Sequence, residues 1–88
     1  MKLFVYTFIS EDKKRETVRN EVFDNFEQAS TKLMDEYLKC LSRMDIEDED
    51  CGYSYGININ SRQSKAFISD DTTGETCIWT INVVNTDF

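Results

Sequence analysis

The chain has 88 residues, 40% of them hydrophobic and 12% aromatic, which is enough apolar side chain for one small core and too little length for a second domain. Seventeen acidic residues against ten basic leave a formal net charge of -7. That sign argues against direct binding to DNA, RNA or an anionic membrane surface, each of which needs a cationic footprint; it is compatible with a basic protein partner and with plain solubility.

Residues 2–9 alternate Phe4, Tyr6 and Phe8 with Leu3, Val5 and Ile9, so both faces are largely apolar, as in a central strand covered on at least one side. Residues 10–16 hold no apolar side chain and read as a charged turn. A second strand is expected over 17–23, with Val18 and Val22 inward and Arg19 and Glu21 outward; its polar outer face and short length suit a sheet edge.

The longest periodic stretch is 25–44. Phe26, Ala29, Leu33, Tyr37, Cys40, Leu41 and Met44 recur at three- and four-residue steps, while Lys32, Asp35, Lys39 and Arg43 fall mostly on the opposite face. Asp24, with Glu27 three residues on, has the pattern of a capping box. Five of the six residues in 45–50 are acidic, and negative charge at a helix C-terminus opposes the dipole, so the helix is expected to stop before them.

A third strand is expected over 53–60, with Tyr53, Tyr55, Ile57 and Ile59 on one face and Ser54, Gly56, Asn58 and Asn60 on the other. Residues 61–64 read as a polar turn. A short fourth strand over 65–69 carries Phe67 on one face, Ala66 and Ile68 on the other. Residues 70–75 are a turn by composition, with Gly74 free to adopt positive φ. Over 76–84, Cys77, Trp79, Ile81 and Val83 share one face of a fifth strand. The order is β-β-α-β-β-β: a single α+β domain over 1–88, mainly an antiparallel sheet with one amphipathic helix packed on one face.

No apolar run approaches the roughly twenty residues of a membrane span. The three cysteines, Cys40, Cys51 and Cys77, are odd in number and lack CxxC spacing, which fits free thiols in a reducing, cytoplasmic setting. Cys40 and Cys77 are expected in the core.

The chain offers little chemistry. Without histidine it lacks the commonest general base at neutral pH, the commonest zinc ligand and any Ser-His or Cys-His nucleophile. The scattered glycines form no phosphate-binding or dinucleotide pattern, and the acids around Asp48, Asp50 and Gly52 miss the register of an EF-hand loop. Abundant carboxylates leave non-specific binding of a divalent cation open. No catalytic residue, cofactor or dedicated metal site is expected, and the chain does not read as an enzyme.

If each short connection reverses the chain, the turn at 10–16, the segment 45–50 and the turn at 70–75 all lie at one end of the sheet. Asp45, Glu47, Asp48, Glu49, Asp50, Asp70, Asp71 and Glu75 would then form one acidic rim, partly neutralised by Lys13, Lys14 and Arg15. Such carboxylates, spaced along loops, can approximate the charge pattern of a phosphate backbone. The sheet face away from the helix is expected to keep some apolar side chains exposed, the mark of a dimer or partner surface.

A short, strongly acidic chain without catalytic residues, built as a small α+β unit, resembles phage-encoded anti-defence inhibitors, among them anti-CRISPR proteins and DNA-mimic inhibitors of restriction systems. The resemblance rests on overall character across the chain. It implies an inhibitor, working in the cytoplasm of a bacterial host cell, that docks on the basic nucleic-acid-binding surface of a nuclease complex or similar protein. The alternative is a cytoplasmic homodimeric interaction domain, joined through a sheet face or edge strand, whose acidic loops serve solubility.

Overall fold

The computed structural model describes residues 2–12, 15–43, 53–60, 63–70 and 74–85. Two rows of large apolar side chains determine where its core lies. Phe4, Tyr6 and Phe8 share one side of β1 (Lys2–Glu11), and Trp79, Ile81 and Val83 lie beside them on β5 (Thr76–Asn85), in the pairs Phe4–Val83, Tyr6–Ile81 and Phe8–Trp79. These two strands form the centre of a five-stranded sheet. β2 (Glu16–Phe23) flanks β1, while β4 (Gln63–Asp70) and β3 (Tyr53–Asn58) extend the sheet beyond β5, in the order β2-β1-β5-β4-β3. Every neighbouring pair is antiparallel, and β2 takes the expected edge position.

The helix α1 (Phe26–Arg43) lies across this aromatic side. Its apolar stripe is the one the spacing predicts: Ala29, Leu33, Tyr37 and Cys40 are buried, and Leu41 packs partly against them. They meet Tyr6, Ala66, Ile68, Cys77, Trp79 and Ile81 from the sheet to make one core. Ring contacts tie the layers together. Phe4 and Phe26 are 5.6 Å apart, and Tyr37 meets the Trp79 ring edge-on at 5.8 Å. Met44, the last member of the stripe, lies outside the described residues.

The helix cap differs from expectation. Asn25, not Asp24, is the N-cap: its Oδ1 accepts from the Gln28 N–H at 3.3 Å and its carbonyl from the Ala29 N–H at 3.3 Å. The third helical residue is therefore Gln28, which retains the amide-or-acid spacing of a capping box one position later. On the exposed side Asp35 and Lys39 form an i, i+4 ion pair at 3.0 Å.

Turns are made by the residues whose chemistry suits them. Gly74 has φ of 80°, and its N–H donates to the Asp70 carbonyl at 2.8 Å, closing the β4–β5 connection. Asn60 organises the turn before β4, accepting from the Gln63 N–H at 2.9 Å, while the buried Ser64 hydroxyl donates to the Asn60 carbonyl at 3.0 Å. Asp12 accepts from the Arg15 N–H at 2.8 Å beyond β1. β1, β4 and β5 run longer than the expected 2–9, 65–69 and 76–84, and β3 stops at Asn58, short of residue 60.

Candidate functional site

β2 corrects the sequence reading. Val18 and Val22 do not point inward: they are 52% and 58% exposed, on the face away from the helix. Phe23 packs against the core opposite Phe4, and the two-residue period from Phe23 turns Glu21 and Arg19 toward the helix. There they find partners. Lys32 on α1 pairs with Glu21, and Arg19 lies 3.6 Å from Glu36 while its guanidinium covers the Phe8 ring at 4.6 Å. Glu36 is the hub of this seam. It accepts hydrogen bonds from the Tyr6 hydroxyl and, at 3.3 Å, from the Trp79 indole N–H. Burial and the bond to Glu36 push the Tyr6 phenol well above its usual range. The residues of this seam are engaged with one another, so it reads as a structural closure between helix and edge strand. Glu36 sits seven residues after Ala29 and three after Leu33, on the flank of the apolar stripe; that spacing was the available sequence signal for its partial burial.

The acidic residues divide. Asp45, Glu47, Asp48, Glu49, Asp50 and Asp71 lie outside the described residues, as do Lys13 and Lys14. Of the remaining two, Asp70 is not a solvated turn residue: it ends β4 and is 8% exposed, and Glu75 is half-buried. The described backbone that brackets these segments does converge. Glu11 pairs with both Glu16 and Thr76, Ser69 pairs with Thr76, and Tyr53 with Asp70, so these strand ends share one pole of the sheet. α1 ends there too, since Cys40 reaches Cys77, itself paired with Ser10. Cys40 and Cys77 are buried and in no disulfide, as expected, and burial pushes the Cys77 thiol up to about 11. Cys51 lies outside the described residues. Among the described residues no three His, Cys, Asp or Glu side chains gather as a metal site, and no helix is long and apolar enough to cross a membrane.

Among the described residues, the sheet face away from the helix carries apolar side chains in rows. The strand registers align Val18, Ile9, Ile78 and Phe67 in one row across β2, β1, β5 and β4, with Gly56 of β3 at its end under the Phe67 ring. Val5 and Val22 pair in a second row, Leu3 and Val84 in a third. Between the first two rows runs a polar one, Asn20, Thr7, Thr80, Lys65 and Asn58, in which Thr7 donates to Asn20 at 2.9 Å. Among the described residues the α1 backbone lies close to β1, β2, β4 and β5 and not to β3, and Tyr55 and Ile57, on the helix side of β3, stay exposed. Searches of family models, curated proteins and solved structures return no match to this chain.

Proposed function

We propose that this protein is a non-enzymatic acidic docking module, an inhibitor that occupies the basic nucleic-acid-binding surface of a nuclease complex or another nucleic-acid-handling protein, in the manner of anti-CRISPR or DNA-mimic proteins. The observation that supports this reading is topological. The strand ends and helix end bracketing the three acid-bearing connections meet at one pole of the sheet. Within those connections the chain concentrates Asp45, Glu47, Asp48, Glu49, Asp50 and Asp71. Carboxylates gathered at one pole steer a cationic partner toward it and compete with phosphate for its groove.

The test is displacement. Nuclease complexes holding labelled duplex DNA are titrated with the protein at low and high salt, and DNA release is followed by anisotropy. Release is expected at low salt, weakening as salt rises. Reversing the charge at Asp48, Glu49, Asp50 and Asp71 together should abolish release while leaving the circular dichroism melt unchanged. Equal displacement by the reversed variant, or none by the native chain, rejects the mechanism.

A further inference from the structure

The face of the sheet away from α1 is covered by no element of the described chain. The five strands place twenty-one described residues on the face away from α1. Only Glu11, Glu16 and Lys65 among them are charged, in a molecule whose formal net charge is -7. None of these three has an ion pair among the described residues. On this face one lysine and two glutamates surround an apolar row.

The arrangement is also self-complementary. Lys65 on β4 pairs with Thr80, two residues from Ile78 on β5, and Glu11 on β1 pairs with Thr76, two residues from Ile78 in the other direction. Lys65 and Glu11 therefore end a diagonal with Ile78 at its midpoint, each about 8 Å from it by ordinary strand spacing. A two-fold axis lying between two such faces, passing through Ile78 at right angles to that diagonal, sets Lys65 of each copy on Glu11 of the other. It also sets Ile78 against Ile78, and the strands of the two sheets cross steeply, in the orthogonal manner of sheet packing. Val18, Ile9, Ile78 and Phe67 supply the apolar contact, and the two charge pairs select the orientation.

We infer that the uncovered sheet face is a homodimer interface, two copies packing face to face about a dyad through Ile78 with reciprocal Lys65–Glu11 pairs. This goes beyond the docking role proposed for the acidic pole and does not depend on it.

Sedimentation velocity from about 1 to about 200 µM, a range that brackets weak to moderate dimers, tests it. The native chain should show a species of twice the 10.3 kDa chain mass at the upper concentrations. Lys65→Glu and Glu11→Lys, both at exposed positions, should each raise the dissociation constant at least about tenfold by facing like charges twice across the dyad. The double swap, Lys65→Glu with Glu11→Lys, should restore it, a rescue that general misfolding cannot produce. Leu38→Lys, on the helix side, and charge reversal at Asp48, Glu49, Asp50 and Asp71 should leave the dimer intact. A monomer at every concentration overturns the inference. So does a dimer indifferent to Lys65→Glu, a dimer broken by Leu38→Lys, or a double swap that fails to restore association.

Discussion

At the scale of single residues, Glu36 shows how a carboxylate at the margin of a core can be structural. It accepts from Tyr6 and Trp79, both about 1% exposed, and faces Arg19. Glu36→Ala would leave a buried hydroxyl and a buried indole N–H without their acceptor. A loss of about 2–3 kcal/mol is expected in urea unfolding, against less than about 0.5 kcal/mol for Asp35→Ala, its exposed neighbour. Alkaline pH probes the same buried groups. The Cys77 thiol is held near 11 against 9.0 unperturbed, chiefly by desolvation, with Ser10 at 3.8 Å partly opposing the shift. Tyr6 and Tyr37 are also raised from 10.0 by burial. A group that ionises more readily in the unfolded chain favours unfolding once the pH passes its unfolded value. Below about pH 9 these groups contribute no pH dependence. Above it the urea midpoint should fall, first through Cys77 and from about pH 10 through the tyrosines as well. Cys77→Ala should remove the first part of that fall and keep the second.

At the scale of elements, helix and strand differ in how fully their sequence specifies them. A helix with period near 3.6 has one apolar stripe, and 25–44 has only one way to bury Ala29, Leu33, Tyr37 and Cys40. Its start is a matter of local hydrogen bonding, and adjacent cap candidates compete: Asn25 wins over Asp24. Asn25→Ala should therefore cost about 1 kcal/mol in thermal unfolding, whereas Asp24→Ala should cost about 0.3 kcal/mol, the low end of a charge–dipole interaction. An edge strand is more ambiguous. The alternation of valine with charge in β2 is plain in the sequence, but period two permits either face to turn inward. What decided it lies elsewhere in the chain: Phe23 enters the core beside Phe4, and Lys32 and Glu36 offer partners to Glu21 and Arg19. Val22 and Val18 then join Val5 and Ile9 on the other side as β-branched cross-strand pairs.

At the scale of the whole molecule, the two proposed surfaces differ in how they should respond to salt. The pole gathers the ends of acid-bearing connections, while the uncovered face holds one lysine and two glutamates and carries its apolar side chains in rows. Salt acts on them in opposite senses. Under the proposed docking role, screening weakens the attraction of a cationic partner to the pole, and DNA release should diminish as ions are added. The same screening relieves repulsion between two chains of charge -7, while the short Lys65–Glu11 contacts proposed across the dyad are less affected. Running the displacement and sedimentation experiments at the same two ionic strengths therefore tells one surface from the other without any substitution.

The sequence by itself determined the α+β class, the order of elements, the helix stripe with Cys40 in it, and the face that Cys77, Trp79 and Ile81 share, because each follows from periodicity within one continuous segment. Only the tertiary structure decided that β2 turns its charges toward the helix, that Asp70 is buried, and that Val18, Ile9, Ile78 and Phe67 stand in line. Those facts depend on register between strands far apart in the chain. No local pattern encodes a register that is set by which side chains meet across the sheet.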